Sequence, residues 1–260
     1  MIESKKMHKT ANILGFSLFS NHRSDLLKKI KIHLSSKNEL LVIFTPNAEQ
    51  LAQASVNPNF SRQLRLADVL VPDGISLVWS SRLLSIFGRS KPILQRIAGV
   101  DLVKDLLQIS QEQKLKMLLI GGEDYQELIK PLQDKHDFIW TQGYQQIAQP
   151  SRQEEQSLDR LLLSSKPDIV FVAFGAPFQE EWVIKNQELL KRAKVKLVMT
   201  VGGSFDIIFG RLSRAPFWMR RIGLEWLFRL IQEPWRWKRQ TRLFKFIFLV
   251  LGQLFSSKAD

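Results

Sequence analysis

Asp168-Ile169-Val170-Phe171-Val172-Ala173-Phe174, stopped by Gly175-Ala176-Pro177 and followed by Phe178-Gln179-Glu180, is the stretch from which the architecture can be read. After Asp168 the run is apolar at every position, so it lacks the alternation of a half-exposed strand. It is also too short for a core helix, which leaves a strand covered on both faces, the habit of parallel sheets. Three other runs share this form: Leu40–Phe44 (LLVIF), Met117–Ile120 (MLLI) and Lys196–Val201 (KLVMTV). Between them lie helix-like stretches: Ala48–Ser55 after Asn47, Leu102–Ser110 after Gly99, Asp124–Gln133 after Gly121-Gly122, and Gln179–Arg192 after Pro177. Strands alternating with helices predict a doubly wound α/β fold with a mainly parallel sheet. Ligands of such folds sit at the carboxyl ends of the strands, beside helix N-termini. Thr45-Pro46-Asn47, Gly121-Gly122, Gly175 to Glu180 and Gly202-Gly203-Ser204-Phe205-Asp206 all occupy such ends. One Gly-Gly after a strand is a plain turn. Four junctions that join small residues to polar groups suggest a crevice for a phosphate or nucleotide.

The 260 residues suit one large α/β domain or one domain plus an appendage, and 45% hydrophobic content provides for a core. Cysteine is absent, which excludes disulfides, thiolate metal sites and a cysteine nucleophile. The formal charge of +13 comes from 38 Lys+Arg against 25 Asp+Glu. It is compatible with a merely basic surface, with nucleic acid, with anionic lipid or with a phosphate-rich substrate. Between Arg211 and Lys245 there are ten Lys/Arg, only two acids (Glu225 and Glu233) and four of the seven Trp. This change of composition predicts an α/β body over residues 1–210 and a basic, Trp-rich helical appendage over 211–260. Glu225 and Arg229 stand four apart, the spacing of an intrahelical pair, and Pro234 is expected to interrupt the helix. The amino terminus does not read as a signal peptide, and no run reaches the roughly 18 apolar residues of a membrane span. Phe244 to Phe255 is short and carries Lys245 and Gln253, a composition suited to lying along a membrane surface.

The histidines His8, His22, His33 and His136 are scattered without metal-ligand spacing. There is no phosphate-binding Gly-Lys loop, no nucleophile elbow and no Asp-x-Asp triplet of the kind that holds a divalent cation on a nucleotide-sugar diphosphate. Should the substrate be a nucleotide sugar, its leaving diphosphate must be stabilised by Arg/Lys, backbone N–H groups and helix dipoles. Asp73, in Leu70-Val71-Pro72-Asp73-Gly74-Ile75, is the only ionisable side chain between Asp68 and Arg82. A partly buried carboxylate there suits a general base; an Asp-Gly dipeptide equally suits a turn.

In order along the chain stand Thr45-x-Asn47, Asp73-Gly74, Arg96-x-x-Gly99-x-Asp101, Gly121-Gly122 and Gly143-Tyr144. They are followed by Gly175-x-Pro177-x-Gln179-Glu180, Gly202-Gly203-x-Phe205-Asp206, Arg214-Ala215-Pro216 and Gly223-Leu224-Glu225-Trp226-x-x-Arg229-x-x-x-Glu233-Pro234-x-Arg236-x-x-Arg239. Over roughly residues 13 to 245 this ordered set resembles the WecG/TagA/CpsF glycosyltransferases (glycosyltransferase family 26). The resemblance implies a Rossmann-like enzyme that transfers N-acetylmannosamine or a related sugar from a UDP-sugar donor to an undecaprenyl-diphosphate-linked N-acetylglucosamine acceptor. Transfer would proceed with inversion and without cofactor or metal, on the cytoplasmic face of the bacterial plasma membrane. It further implies Asp73 as general base, Arg96 near the diphosphate, and Thr45, Asn47 and Gly74 around a substrate sugar. Gln179 and Glu180 would bind donor sugar or nucleotide beside Gly175 and Pro177. Gly121, Gly122, Gly202 and Gly203 would line the crevice. Tyr144 would stack on uracil, and Asp206 would accept a hydrogen bond from base or ribose. Arg214, Arg221, Arg229, Arg236 and Arg239 would meet acceptor diphosphate or an anionic membrane surface.

Each role has a plainer counterpart: Arg96 as a helix-capping or salt-bridging residue, Thr45 and Asn47 as helix caps, Tyr144 as core, the glycines as turns. Two positions depart from the family pattern, Ser76 where Gly is frequent and Phe178 where Lys is frequent; neither touches Asp73 or Gln179. The donor's sugar, N-acetylmannosamine, its uronic acid, glucose or galactose, and homo-oligomerisation both stay open. The rival classes are a non-catalytic envelope scaffold of the same fold and a nucleic-acid-binding protein; the motif order disfavours nucleic acid as a partner.

Overall fold

The protein is described by a computed structural model covering residues 9–36, 39–234 and 237–255, without the side chains of 238–240. In chain order the strands are β1 (Thr10–Ile13), β2 (Phe16–Phe19), β3 (Leu41–Phe44), β4 (Val69–Leu70), β5 (Met117–Gly121), β6 (Phe138–Thr141), β7 (Ile169–Ala173) and β8 (Leu197–Thr200). The helices of the first half are α1 (Arg23–Ser36), α2 (Ala48–Ala54), α3 (Pro58–Arg65), α4 (Ile75–Ile86) and α5 (Gly99–Gln113). Those of the second half are α6 (Lys130–Gln133), α7 (Arg152–Ser165), α8 (Phe178–Lys185), α9 (Gln187–Arg192), α10 (Ser204–Ile208), α11 (Phe217–Arg221), α12 (Glu225–Gln232) and α13 (Trp237–Phe255). The chain is α/β and the sheet pairing mainly parallel, as the four apolar runs predict; the β1–β2 hairpin is antiparallel.

The chain forms two compact units. One gathers residues 24–44 and 99–211, and the other gathers 1–23, 45–98 and 212–260. A unit boundary falls between Arg211 and Leu212, and the basic segment beyond it is grouped with amino-terminal parts of the chain.

In the unit that holds most of the sheet, the strand order is β3-β8-β7-β5-β6, all parallel. The strands beginning at Leu41, Met117, Ile169 and Leu197 are buried almost throughout, which accounts for their unbroken apolar runs. Asp168 ties their starting ends together: its Oδ2 accepts from the Lys116 N–H at 3.0 Å, and its Oδ1 meets Lys196 Nζ at 2.9 Å. From β5 the chain moves outward to β6, whereas from β7 it moves the opposite way to β8. The neighbours β5 and β7 therefore flank a topological switch point, and their carboxyl ends carry Gly121-Gly122 and Gly175-Ala176-Pro177.

The helix predicted over Asp124–Gln133 is mostly turn, and only Lys130–Gln133 is helical. Tyr125 explains the difference, because its ring is buried and its hydroxyl donates to Asp206 Oδ1 at 2.6 Å, which fixes a non-helical path after β5. The helix predicted over Gln179–Arg192 is divided into α8 and α9 at Asn186, whose Nδ2 donates to the Trp182 carbonyl.

In the other unit β2 pairs with β1 and β4, and α13 lies along α2 and α4. Phe246 and Val250, one helical turn apart, are the buried anchors of α13. Arg242 Nη1 donates to Gln53 Oε1 at 2.8 Å, and Gln253 Oε1 accepts from the Leu14 N–H at 2.9 Å. The opposite face of α13 exposes Phe244, Phe248, Leu251 and Phe255.

Candidate active site

Asp73 lies between β4 and α4, in a loop stitched to two others. Its N–H donates to the Pro46 carbonyl at 3.1 Å, and the Ile97 N–H donates to the Pro72 carbonyl at 3.2 Å. These two bonds bring Thr45-Pro46-Asn47, Asp73-Gly74 and Arg96 together, three of the segments singled out from the sequence. Asn47 caps α2 through a reciprocal box: its Oδ1 accepts from the Gln50 N–H at 3.0 Å, while Gln50 Oε1 accepts from the Asn47 N–H at 2.9 Å. A Cβ added at Gly74 would stand 3.9 Å from the Asn47 Cβ, so these two residues are neighbours.

The apolar isolation expected for Asp73 is not what the fold provides. Arg96 Nη2 stands 3.6 Å from Asp73 Oδ1 and 2.5 Å from Glu225 Oε2. Burial weakens the Arg96 guanidinium's hold on its proton, but the charges of Asp73 and Glu225 outweigh that and raise its pKa. Arg96 is therefore a fixed cation whose charge is matched twice over by protein carboxylates, which leaves its expected diphosphate contact without support in this geometry. Glu225, at the start of α12, points to Arg96, a tertiary pair in place of the helical pair with Arg229 that the spacing suggests. Gly223 makes this possible. At φ +78° its backbone lies where an added Cβ would sit 2.7 Å from Ile75 Cγ2 and 2.9 Å from Trp79 Cη2, so the turn into α12 rests directly on the first turns of α4.

The switch point carries the second cluster. Gln179 and Glu180 open α8 and are both buried, which sets aside direct substrate contact as their evident role. Gln179 Nε2 donates to Glu180 Oε1 at 2.8 Å, and Gln179 Oε1 accepts from the Gly202 N–H at 3.1 Å. The side chain is a latch between the loops that follow β7 and β8. Burial raises the Glu180 pKa to about 7, against the lowering effect of hydrogen bonds from Gln179, its own backbone and Thr200. Gly175 and Gly202 have open space where a side chain would project, which leaves the backbone of both loops approachable by a ligand.

The model of the WecG/TagA/CpsF glycosyl transferases matches residues 11–260. The chain belongs to this family. It is 29% identical over 246 residues, 94% of this chain and 92% of the relative, to the N-acetylglucosaminyldiphosphoundecaprenol N-acetyl-beta-D-mannosaminyltransferase of Bacillus subtilis (strain 168). It is 33% identical over 217 residues, 83% of this chain and 80% of the relative, to the protein of that name from Bacillus spizizenii. With the one from Staphylococcus aureus (strain MRSA252) it shares 27% identity over 249 residues, 93% and 91% of the two chains. The fold and the ordered motifs thus belong to a glycosyltransferase.

Within this glycosyltransferase two expected nucleotide contacts take different forms. Tyr144 is 7% exposed, stacked on Phe174 at 5.2 Å, and its hydroxyl accepts from Trp182 Nε1 at 2.9 Å. The ring is buried with one face on Phe174, the plainer core role that the sequence also allowed. Asp206, in the first turn of α10, accepts from Tyr125 and lies beside Gly203, whose added Cβ would stand 3.0 Å from Asp206 Oδ2. Nothing in the sequence motifs pointed to Tyr125; the signal was the aromatic residue three positions after the Gly-Gly pair. Its ring in turn requires glycine at 122, since a Cβ there would fall 2.1 Å from it. Of the carboxyl-terminal arginines, Arg214 and Arg229 are half-buried and Arg221 is exposed. Arg236 and the side chain of Arg239 lie outside the described residues.

Proposed function

We propose that this glycosyltransferase moves N-acetylmannosamine, or a closely related sugar, from its UDP conjugate to N-acetylglucosaminyl-diphospho-undecaprenol, with inversion and without a metal ion. The observation that carries the reading is the Asp73 carboxylate, 31% exposed and fixed beside Arg96 in three stitched loops, in a chain whose relatives bear this activity in their names. Asp73 accepts the proton of the acceptor hydroxyl as its oxygen bonds to the anomeric carbon and UDP departs from the opposite side. Thr45 and Asn47 border the acceptor sugar. The open backbone at Gly175 and around Gly202-Gly203, with the amino end of α8, offers N–H groups of the kind that suit a diphosphate.

The acceptor's lipid anchor puts the reaction at the cytosolic surface of the plasma membrane. No helix of the described residues is long and apolar enough to cross a bilayer. In support of surface attachment, α13 shows water a stripe of Phe244, Phe248, Leu251 and Phe255, flanked by Arg242 and Lys245. Basic residues beside anionic lipid contribute about 1 kcal/mol each. Arg214, Arg221 and Arg229 serve either that surface or the acceptor diphosphate.

The test is UDP release by the full-length protein with a panel of UDP-sugars and a short-chain N-acetylglucosaminyl-diphospho-prenyl acceptor. Turnover that needs the acceptor, survives EDTA and collapses in Asp73→Asn is the expected result. Turnover retained by Asp73→Asn removes the base from this reading, and the absence of UDP binding removes the donor site.

A further inference from the structure

We infer that Glu225 is a positioning residue for the transfer step: it draws Arg96 away from Asp73 and thereby preserves Asp73 as a base. The inference rests on the assignment of Asp73 just made. Three observations point to it. First, one nitrogen, Arg96 Nη2, serves both carboxylates, at 2.5 Å for Glu225 and 3.6 Å for Asp73, so the guanidinium is held chiefly by Glu225. Second, the group is enclosed, with Arg96 and Glu225 side chains 18% and 17% exposed, so solvent screens these charges weakly. Third, α12 is not free to drift from Asp73, because the close approach at Gly223 seats the turn that leads into it on α4, the helix that Gly74 caps.

The electrostatics give the pair of carboxylates different duties. A lone guanidinium in contact with Asp73 would hold it as an anion so firmly that it would accept a proton poorly; a general base works best when its proton affinity is matched to the operating pH. A second carboxylate restores part of that affinity. Among the described residues, α2 carries Glu49, α4 carries Arg82, α12 carries Arg229 besides Glu225 and ends at the buried Glu233, and α11, packed on α12, carries Arg220 and Arg221. Arg96 itself is raised, not lowered, in pKa by the two acids, so it stays charged. Glu225 is assigned to Asp73 through the guanidinium nitrogen that the two carboxylates share. Its place on α12 also means that the carboxyl-terminal segment sets the proton affinity of the base.

The experiment uses the full-length chain with ¹³C-labelled aspartate, Asp73→Asn identifying the Asp73 carboxyl resonance. That resonance is titrated in wild type, Glu225→Gln and Glu225→Asp, and kcat and KM are followed against pH in all three. Glu225→Gln is expected to move the Asp73 titration, and with it the acidic limb of kcat, to lower pH by about one unit. Its plateau kcat should fall about tenfold, with KM for the UDP-sugar unchanged within about twofold. Glu225→Asp should restore most of the wild-type profile, and Glu225→Ala, which removes the charge as the glutamine variant does and should shift the Asp73 titration the same way, carries the test should the glutamine variant fail to fold. An Asp73 titration that is the same in wild type and variants overturns the inference. So does a lower KM for the lipid diphosphate in Glu225→Gln, which would make Glu225 a stand-in for substrate phosphate. Absence of turnover in wild type would sink the proposed reaction, while the titration would still decide the role of Glu225.

Discussion

Replacing Glu180 by Gln isolates the cost of a buried charge at the switch point. Glu180 is 1% exposed, and burial raises its pKa from the ordinary 4.5 to about 7. The amino end of α8 and the hydrogen bonds from Gln179 and Thr200 favour the anion but do not cancel desolvation. For an acid whose folded pKa lies above its unfolded one, this stabilisation is complete below the unfolded value. It is lost as pH rises through the folded value, because the unfolded chain then releases a proton that the folded chain retains. A gap of that size corresponds to something on the order of 3 kcal/mol lost by about pH 8. Glutamine keeps the acceptor for Gln179 Nε2, has nearly the same shape and never ionises. Glu180→Gln should therefore match wild type closely near pH 4 and exceed its stability by roughly 2–3 kcal/mol near pH 8. Urea denaturation followed by far-ultraviolet circular dichroism at several pH values reads this directly. Stability curves that run parallel in the two proteins from about pH 5 to 8 would refute the reasoning, since they would mean that Glu180 pays no ionisation penalty in the fold.

Two further outcomes follow from packing. Gly122→Ala places a methyl group 2.1 Å from the Tyr125 ring at φ +78°, so it should lower stability by about 2 kcal/mol or more and weaken UDP binding in calorimetry as Tyr125 releases Asp206; an unchanged melting curve would mean that the loop gives way without cost. On α13, Phe246→Ala should cost about 3–5 kcal/mol because Phe246 is fully buried. Phe248→Ser, on the face that is 76% exposed, should leave stability within about 0.5 kcal/mol while weakening sedimentation with anionic vesicles. Vesicle binding that Phe248→Ser leaves intact would assign the exposed stripe to something other than lipid.

What could be read from the residues was what local pattern determines. The runs at Leu41, Met117, Ile169 and Leu197 are strands because both faces are covered, and a continuous apolar run records that directly. The β1–β2 hairpin escaped notice because its strands alternate, with Ala11, Ile13, Phe16 and Leu18 buried and Thr10, Asn12 and Ser17 exposed, and four residues of alternation do not stand out as a continuous apolar run does. Asp73 stood out as the one acid in an apolar stretch, yet its partner Arg96 is distant in sequence and reaches it only through the hydrogen bonds of Asp73 to Pro46 and Ile97 to Pro72. Gln179, Glu180 and Tyr144 are polar groups at strand ends, and a sequence does not distinguish a side chain that meets substrate from one that ties loops together. Burial decides that question, and here all three face inward.

Glu225 shows the same competition at the level of energy. Spacing favours a pair with Arg229 four residues on, but exposed helical pairs of that kind are worth about 0.3–0.5 kcal/mol. Arg96 is an enclosed cation that would be left with one distant carboxylate if Glu225 turned to Arg229, a loss on the order of several kcal/mol. The tertiary pair therefore wins wherever the backbone can bring α12 close enough, and Gly223 provides that approach. The same reasoning bears on the carboxyl-terminal segment as a whole. Phe246 and Val250 secure α13 to α2 and α4, while Glu225 secures α12 to the loop of the proposed base. A segment whose composition suggests a membrane-seeking appendage is thus joined to α2, α4 and the Asp73 loop by its core and by its charges, and the apolar side chains it leaves exposed, the outer stripe of α13 with Phe217, Trp218 and Ile231, remain for lipid.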